Sequence, residues 1–131
     1  MAWKEFKRED KGNSLGVPCI SLTKLHFRLN SAFIKAYKIA HPCFVTIYIN
    51  EEDKQIGFKF HVKEETNAYK VTFYPRNRKT KAYNGQFGAI RIMQEYSWIQ
   101  KTENEIFEKR RFKPIKKNDM WIIDFKEETN L

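Results

Sequence analysis

The sequence has few of the residues that mark secreted, metal-binding or redox proteins. Its 131 residues include two cysteines, Cys19 and Cys43. Two are too few for the disulfide framework of a small secreted domain, and they lack the C-x-x-C spacing of a zinc or redox site. His26, His41 and His61 follow no ligand spacing either. We therefore expect two buried free thiols, no metal and no cofactor.

Long apolar runs are also missing. The longest, such as residues 43–49, fall well short of the roughly 20 residues of a membrane helix. The first ten residues mix both charge signs, and no apolar region follows them. We therefore expect no transmembrane segment, no secretory signal and a cytoplasmic location.

Catalytic motifs are absent as well. There is no Gly-rich phosphate loop, no nucleophile elbow and no His-Glu-x-x-His. The acidic clusters at 51–53, 64–65 and 127–128 are typical of solvated turns or termini. We expect a protein that is not an enzyme, and the remaining catalytic alternative is a nuclease assembled from Asp53, Glu64 or Asp124 with nearby lysines.

The residues that are present predict one globular domain. Hydrophobic residues make up 41% of the chain and aromatic residues 15%, which argues against disorder because such aromatic surface is normally buried. Residues 7–16 are polar and contain Gly12 and Gly16. We predict a polar N-terminal arm at 1–16, a domain at 17–126 and a short tail at 127–131.

The first half of the chain predicts a strand, a helix and a hairpin. Residues 19–29 alternate between apolar and polar, with one change of phase at 24–25, which indicates a single strand with a bulge. Asn30 and Ser31 can cap a short helix that ends before His41. Residues 43–49 and 56–62, separated by an acidic turn, predict a β-hairpin.

The second half repeats this order. Residues 69–74 predict a strand ended by Pro75, and residues 76–85 a basic loop. Residues 87–99 favour a helix, and residues 106–115 and 120–125 a second hairpin across a turn at 116–119.

The fold class that these elements predict is α+β and mostly β. Two strand-helix-hairpin units would pack as one small barrel-like domain. Since the order of elements occurs twice, we predict a pseudo-repeat of 17–68 and 69–126.

An apolar frame runs through residues 25–60. Its members are Phe27, Leu29, Phe33, Ile39, Val45, Ile47, Ile49 and Ile56. Together with the order of strand, short helix, strand, acidic turn and returning strand, this frame resembles the AbrB-like swapped-hairpin family. The resemblance implies a small barrel that binds DNA as a transition-state regulator or antitoxin. By position it implies DNA contacts at His26, Arg28 and Lys35, whereas Lys38 and Pro42 stand where the family has glycine.

The positive charge is concentrated in the second half. The formal net charge is +9, with +3 in residues 1–68, +8 in residues 69–126 and −2 in residues 127–131. Two clusters carry the excess: Arg76, Arg78, Lys79 and Lys81, and Lys109, Arg110, Arg111, Lys113, Lys116 and Lys117. Tyr74 and Tyr83 flank the first cluster. Cations that follow phosphates and rings that stack on bases are typical of nucleic-acid binding, although lysine-rich loops also serve solubility.

Strand geometry divides the second cluster between two faces. Lys109, Arg111 and Lys113 would point to one face, and Arg110 and Phe112 to the other. The sequence thus predicts a small, non-enzymatic, regulatory protein that binds nucleic acid, with DNA favoured. The alternative is a protein-interaction module or assembly subunit, with a homodimer or another protein as partner.

In that alternative the basic charge serves solubility. Trp3, Phe6 and an exposed sheet edge would supply the contacts by strand addition.

Overall fold

The computed structural model describes Trp3 and residues 17–77, 82–99 and 110–126. Within these ranges the chain forms short strands, two α-helices and one 3₁₀ helix. In chain order they are β1 Ile20–Leu22, β2 His26–Leu29, α1 Ser31–Ala36, β3 Phe44–Asn50, β4 Gln55–His61, β5 Tyr69–Lys70, β6 Thr72–Asn77, β7 Ala82–Gly88, α2 Ile90–Glu95, the 3₁₀ helix Ser97–Ile99, β8 Arg110–Phe112, β9 Ile115–Lys117 and β10 Met120–Asp124. The prediction of a mostly β fold is confirmed.

The strands form two antiparallel sheets. Sheet A has the order β6-β7-β2-β1-β8, and sheet B the order β5-β3-β4-β10-β9. The part of the chain that the structure describes does not form a closed barrel, so the barrel-like arrangement stays a prediction.

Each half of the chain contributes a hairpin to each sheet. In sheet A, hairpin β1-β2 meets hairpin β6-β7 through the antiparallel pair of β2 with β7. In sheet B, hairpin β3-β4 meets hairpin β9-β10 through β4 and β10. A six-residue helix lies between the two hairpins of each half. The predicted pseudo-repeat, itself still a prediction, thus has a counterpart in the connectivity.

The prediction of one bulged strand at 19–29 is wrong. The change of phase at 24–25 is a turn that folds β1 onto β2, with Ile20 opposite Leu29. Thr23 closes this turn, because its Oγ1 accepts from the N–H of His26 at 3.1 Å and its own N–H donates to the carbonyl of His26 at 2.8 Å.

The helix and the central hairpin are confirmed. The side chain of Asn30 caps α1 by accepting from the N–H of Phe33 at 2.9 Å, and it also accepts from the N–H of Cys19 at 2.9 Å. One amide thereby joins the start of the helix to the start of the first hairpin. In the central hairpin β3 pairs with β4 from Phe44 opposite His61 to Asn50 opposite Gln55.

The predicted strand at 69–74 is divided between the sheets. β5 belongs to sheet B and β6 to sheet A, with the fully buried Val71 between them. Pro75 does not end β6, which is an edge strand, and the register with β7 shifts directly after it, between Pro75 and Asn77. The loop prediction for 76–85 is wrong at both ends, which are strand, while residues 78–81 lie outside the described ranges.

The last predicted helix and hairpin are confirmed in part. Within 87–99 the helical residues are α2 and the 3₁₀ helix, and Phe87 and Gly88 complete β7. The predicted strand at 106–115 is also divided, since β8 joins sheet A and Ile115 begins β9 in sheet B. Residues 106–109 lie outside the described ranges. The turn of the last hairpin is Asn118-Asp119, as the sequence indicates.

Aromatic rings join the two sheets in the core. The ring of Phe58, on sheet B, lies 5.1 Å from that of Phe27 and 5.6 Å from that of Phe87, both on sheet A. The rings of Phe27 and Phe87 are 5.5 Å apart. This cluster of three rings fixes the inner face of each sheet.

Removing the ring of Phe58 is expected to destabilise the folded protein. We predict that Phe58→Ala lowers the free energy of unfolding by about 3–5 kcal/mol, because the truncation leaves a cavity between the sheets. Urea denaturation followed by tryptophan fluorescence measures this loss. Tyr48→Ala, on the same sheet but 47% exposed, is the control and is expected to cost less than about 1 kcal/mol. Equal losses for the two variants would contradict the assignment.

Burial changes the acidity of one core cysteine. Cys43 is 5% exposed, and burial raises the pKa of its thiol from 9.0 to about 11 despite a backbone hydrogen bond from His61. Between pH 9 and pH 11 the unfolded chain releases a proton that the folded chain keeps. We therefore predict that the free energy of unfolding falls more steeply over this pH range in the wild type than in Cys43→Ala. Denaturation at several pH values tests this, and parallel pH dependences would contradict it.

Candidate nucleic-acid interface

Two of the predicted contact residues lie on the outer face of sheet A. In β2 the side chains of Phe27 and Leu29 are buried, and Arg28 between them is exposed. Arg28 pairs with Ser21 of β1, and Ser21 pairs with Arg111 of β8. Paired residues of antiparallel strands point to the same side, so the two arginines are about 10 Å apart across one strand. Residues 83 positions apart in sequence thereby meet on one surface.

The row of paired residues that contains Arg28, Ser21 and Arg111 continues across the rest of the sheet. Arg28 pairs on its other side with Gln86 of β7, and Gln86 pairs with Thr72 of β6. From edge to edge, the residues directed to this side are Thr72, Gln86, Arg28, Ser21 and Arg111. Thr72 and Arg28 are exposed, Gln86 and Arg111 are half-buried, and Ser21 is 6% exposed. Every member of this row is polar or positively charged.

Acidic residues are excluded from the described strands of sheet A. These strands contain Arg28, Arg76, Arg110 and Arg111 and no Asp or Glu. The acidic residues that the structure describes lie instead in the turns of sheet B, in β10 and in α2: Glu51, Glu52, Asp53, Glu64, Glu65, Asp119, Asp124 and Glu95. Within the described strands of sheet A, all the formally charged residues are therefore positive.

An exposed aromatic side chain lies beside this row. Tyr74 is 47% exposed, and its Oη accepts a hydrogen bond from Nε2 of Gln86 at 3.2 Å. Tyr83, the second tyrosine that flanks the basic cluster, is paired with Pro75 and therefore lies on the opposite face of the hairpin. The structure thus places Tyr74 on the basic face and not Tyr83.

Arg110 faces the interior and not the basic face. It is 7% exposed, and its Nη1 donates to the carbonyl of Ile99 at 2.9 Å. Its guanidinium also lies over the rings of Phe112 and Phe125, at 5.4 and 4.8 Å from their centres. The alternation within β8 explains this, because Arg110 and Phe112 point inwards and the half-buried Arg111 points outwards. Arg110 is therefore not part of the basic outer face.

The other predicted contact residues are distributed over the molecule. Lys116 and Lys117 lie in β9 at the edge of sheet B, and Nζ of Lys116 is 5.8 Å from the ring centre of Trp121. Lys35 lies on α1, and the exposed Lys113 follows β8. The backbone of Arg76 is in β6. Arg78, Lys79, Lys81 and Lys109 lie outside the described ranges.

Gln86 is not among the residues that the sequence predicts for the interface. The prediction of a loop at 76–85 leaves the side chains of β7 without a face. The alternation of Asn84 and Gln86 with Gly85 and Phe87 is the signal that indicates a strand with a polar outer face.

A second polar cluster lies on sheet B. Nε2 of His61 is 2.9 Å from Oγ1 of Thr46, and its Nδ1 is 3.5 Å from Oε1 of Glu65. These contacts tie β3 to the turn after β4. Across residues 17–77, 82–99 and 110–126 no group of three or more His, Cys, Asp or Glu residues is placed to hold a metal ion.

Comparison with known proteins finds no matching family model, no matching curated protein and no matching solved structure. Among the described helices, none has the length and apolar character needed to cross a membrane.

Because Arg110 and Arg111 point in opposite directions, substituting Arg110 is expected to destabilise the fold more than substituting Arg111. We expect Arg110→Met to lower the free energy of unfolding by about 1.5–3 kcal/mol, because the carbonyl of Ile99 loses a charged donor. We expect Arg111→Ala, which removes a half-buried side chain from the outer face, to lower it by less than Arg110→Met does. Thermal and urea denaturation measure both values. A larger loss for Arg111→Ala than for Arg110→Met would contradict the orientation of β8.

Proposed function

We propose that this protein binds nucleic acid through the outer face of sheet A and performs no catalysis. The observation that carries the proposal is the separation of charge: Arg28 and Arg111 lie on a face whose described strands contain no acidic residue. Phosphates bind to such a face by displacing counterions. The polar side chains of Gln86 and Thr72, which continue from Arg28 towards the edge of the sheet, offer hydrogen bonds to phosphates, sugars or base edges.

Two further basic residues of the described chain belong to or directly follow strands of the same sheet. Arg76 lies in β6, and Lys113 follows β8 directly. The sequence resemblance to AbrB-like proteins points to the same class of ligand and places Arg28 among the contacts. A regulatory role, DNA as the ligand, a barrel-like closure and a cytoplasmic location are parts of this proposal.

Salt dependence provides the test. We predict that Arg28→Ala and Arg111→Ala each weaken binding to all sequences alike and each reduce the slope of log affinity against log salt by about 1. Fluorescence anisotropy with random duplexes and single strands at about 50 and 200 mM salt measures the slopes, with polyphosphate as a control polyanion.

Lys117→Ala is the matched control, because it removes one exposed positive charge at the edge of sheet B. It is expected to leave the slope nearly unchanged. If Lys117→Ala has the same effect as Arg28→Ala, net charge and not sheet A drives binding, and the proposal is wrong. If the wild type does not bind at the lower salt concentration, the proposal is also wrong.

In that case protein interaction becomes the leading function. The surface to test is then the edge strand β9, whose three residues are all exposed and whose Ile115 is 62% exposed.

A further inference from the structure

We propose that the outer face of sheet A accepts single-stranded rather than duplex nucleic acid, with a base stacked on Tyr74 and the backbone held by Arg28 and Arg111. This inference rests on the proposed function and names its ligand class. Its physical basis is the shape of the face, the position of Tyr74 and the placement of the two arginines.

In the described part of the chain, both arginines lie on strands of sheet A and not on a helix or a loop. Arg28 lies on β2, the middle strand of the five, and Arg111 lies two strands away. Reading a duplex in its major groove requires a helix or a two-stranded ribbon that enters the groove. A cation in the middle of a sheet reaches a duplex only where the two surfaces touch, whereas a flexible single strand can follow the whole row.

The described helices do not provide a groove-reading element. α1 and α2 have six residues each, which is about 9 Å of helix. α1 packs on the inner side of sheet A, where Ile34 approaches the inner face of Gly85, and Phe33 and Ile34 are buried in the core. The helix therefore leaves the outer row uncovered.

Tyr74 has the properties of a stacking platform. Nearly half of its side chain is exposed, although its hydroxyl is held by Gln86 at 3.2 Å. A ring held in this way loses little conformational entropy when a base stacks on it. Asn84, opposite Tyr74, and Gln86 add amide groups that can bond to base edges.

The three contacts span the width of the sheet. Tyr74 is on β6, Arg28 on β2 and Arg111 on β8, so the row crosses four strand spacings, about 19 Å. A short run of unpaired nucleotides can cover this distance with a base at one end and phosphates along the rest. This combination of a ring with a track of cations is how single strands are bound without strict sequence preference.

The test compares strands and variants by fluorescence anisotropy. The probes are a single-stranded DNA and a single-stranded RNA of the same sequence, about 15 nucleotides long, and the corresponding DNA duplex. We expect the wild type to bind at least one single strand about tenfold or more tightly than the duplex. The DNA and RNA arms identify which of the two backbones the face prefers.

Substitutions at Tyr74 test the stacking contact directly. Tyr74→Ala is expected to weaken single-strand binding by about fivefold to a hundredfold, the usual cost of losing one stacked base. Tyr74→Phe keeps the ring and is expected to retain most of the affinity. Tyr48→Ala, which removes a side chain with the same 47% exposure from sheet B, is the matched control and is expected to bind as the wild type does. Circular dichroism verifies that each variant is folded.

The outcomes separate this inference from the proposed function. If the duplex binds as tightly as the single strands and the arginine variants weaken it, the single-strand inference is overturned and the proposed function stands. If Tyr74→Ala binds single strands as the wild type does, the stacking contact is overturned. Absence of binding to all three probes overturns both proposals.

Discussion

Three aromatic rings hold the two sheets together, and the placement of the surface side chains follows from them. The rings are those of Phe27, Phe58 and Phe87. They join the inner faces of the two sheets at ring distances of 5.1–5.6 Å. Because successive residues of a strand point to opposite sides, placing Phe27 in the core directs Arg28 to the surface. The core therefore determines the basic face, and a strand that slipped by one residue would bury the arginine and expose the ring.

The division of the chain between the sheets also divides its charge. Each half sends one hairpin to sheet A and one to sheet B, so the acidic turn of the central hairpin lies on a different sheet from Arg28. The two halves are interleaved, and the positive face is built from both of them. The charge count of the second half alone does not reveal this, because its basic residues are shared among sheet A, sheet B and the core.

Local patterns predicted the elements whose stability is local. Asn30 as a helix cap and the hairpin β3-β4 are confirmed, since a cap and a long alternating hairpin depend on neighbouring residues. The uninterrupted strand-like runs at 69–74 and 106–115 predict one strand each, whereas the structure divides each run between two sheets. Each crosses from one sheet to the other at a buried residue, Val71 and Pro114, and such a crossing depends on where the other sheet lies.

Arg110 and Arg111 are neighbours in sequence, but one points into the core and the other to the surface. Strand alternation was sufficient to place them on opposite faces, because side-chain direction follows from the local backbone. Which face is the interior depends on the partner strand and on the rings of Phe112 and Phe125. The proximity of Arg111 to Arg28 depends on a third strand, β1, that pairs with both. Strand order is set by packing between distant segments, and no local pattern in the sequence records it.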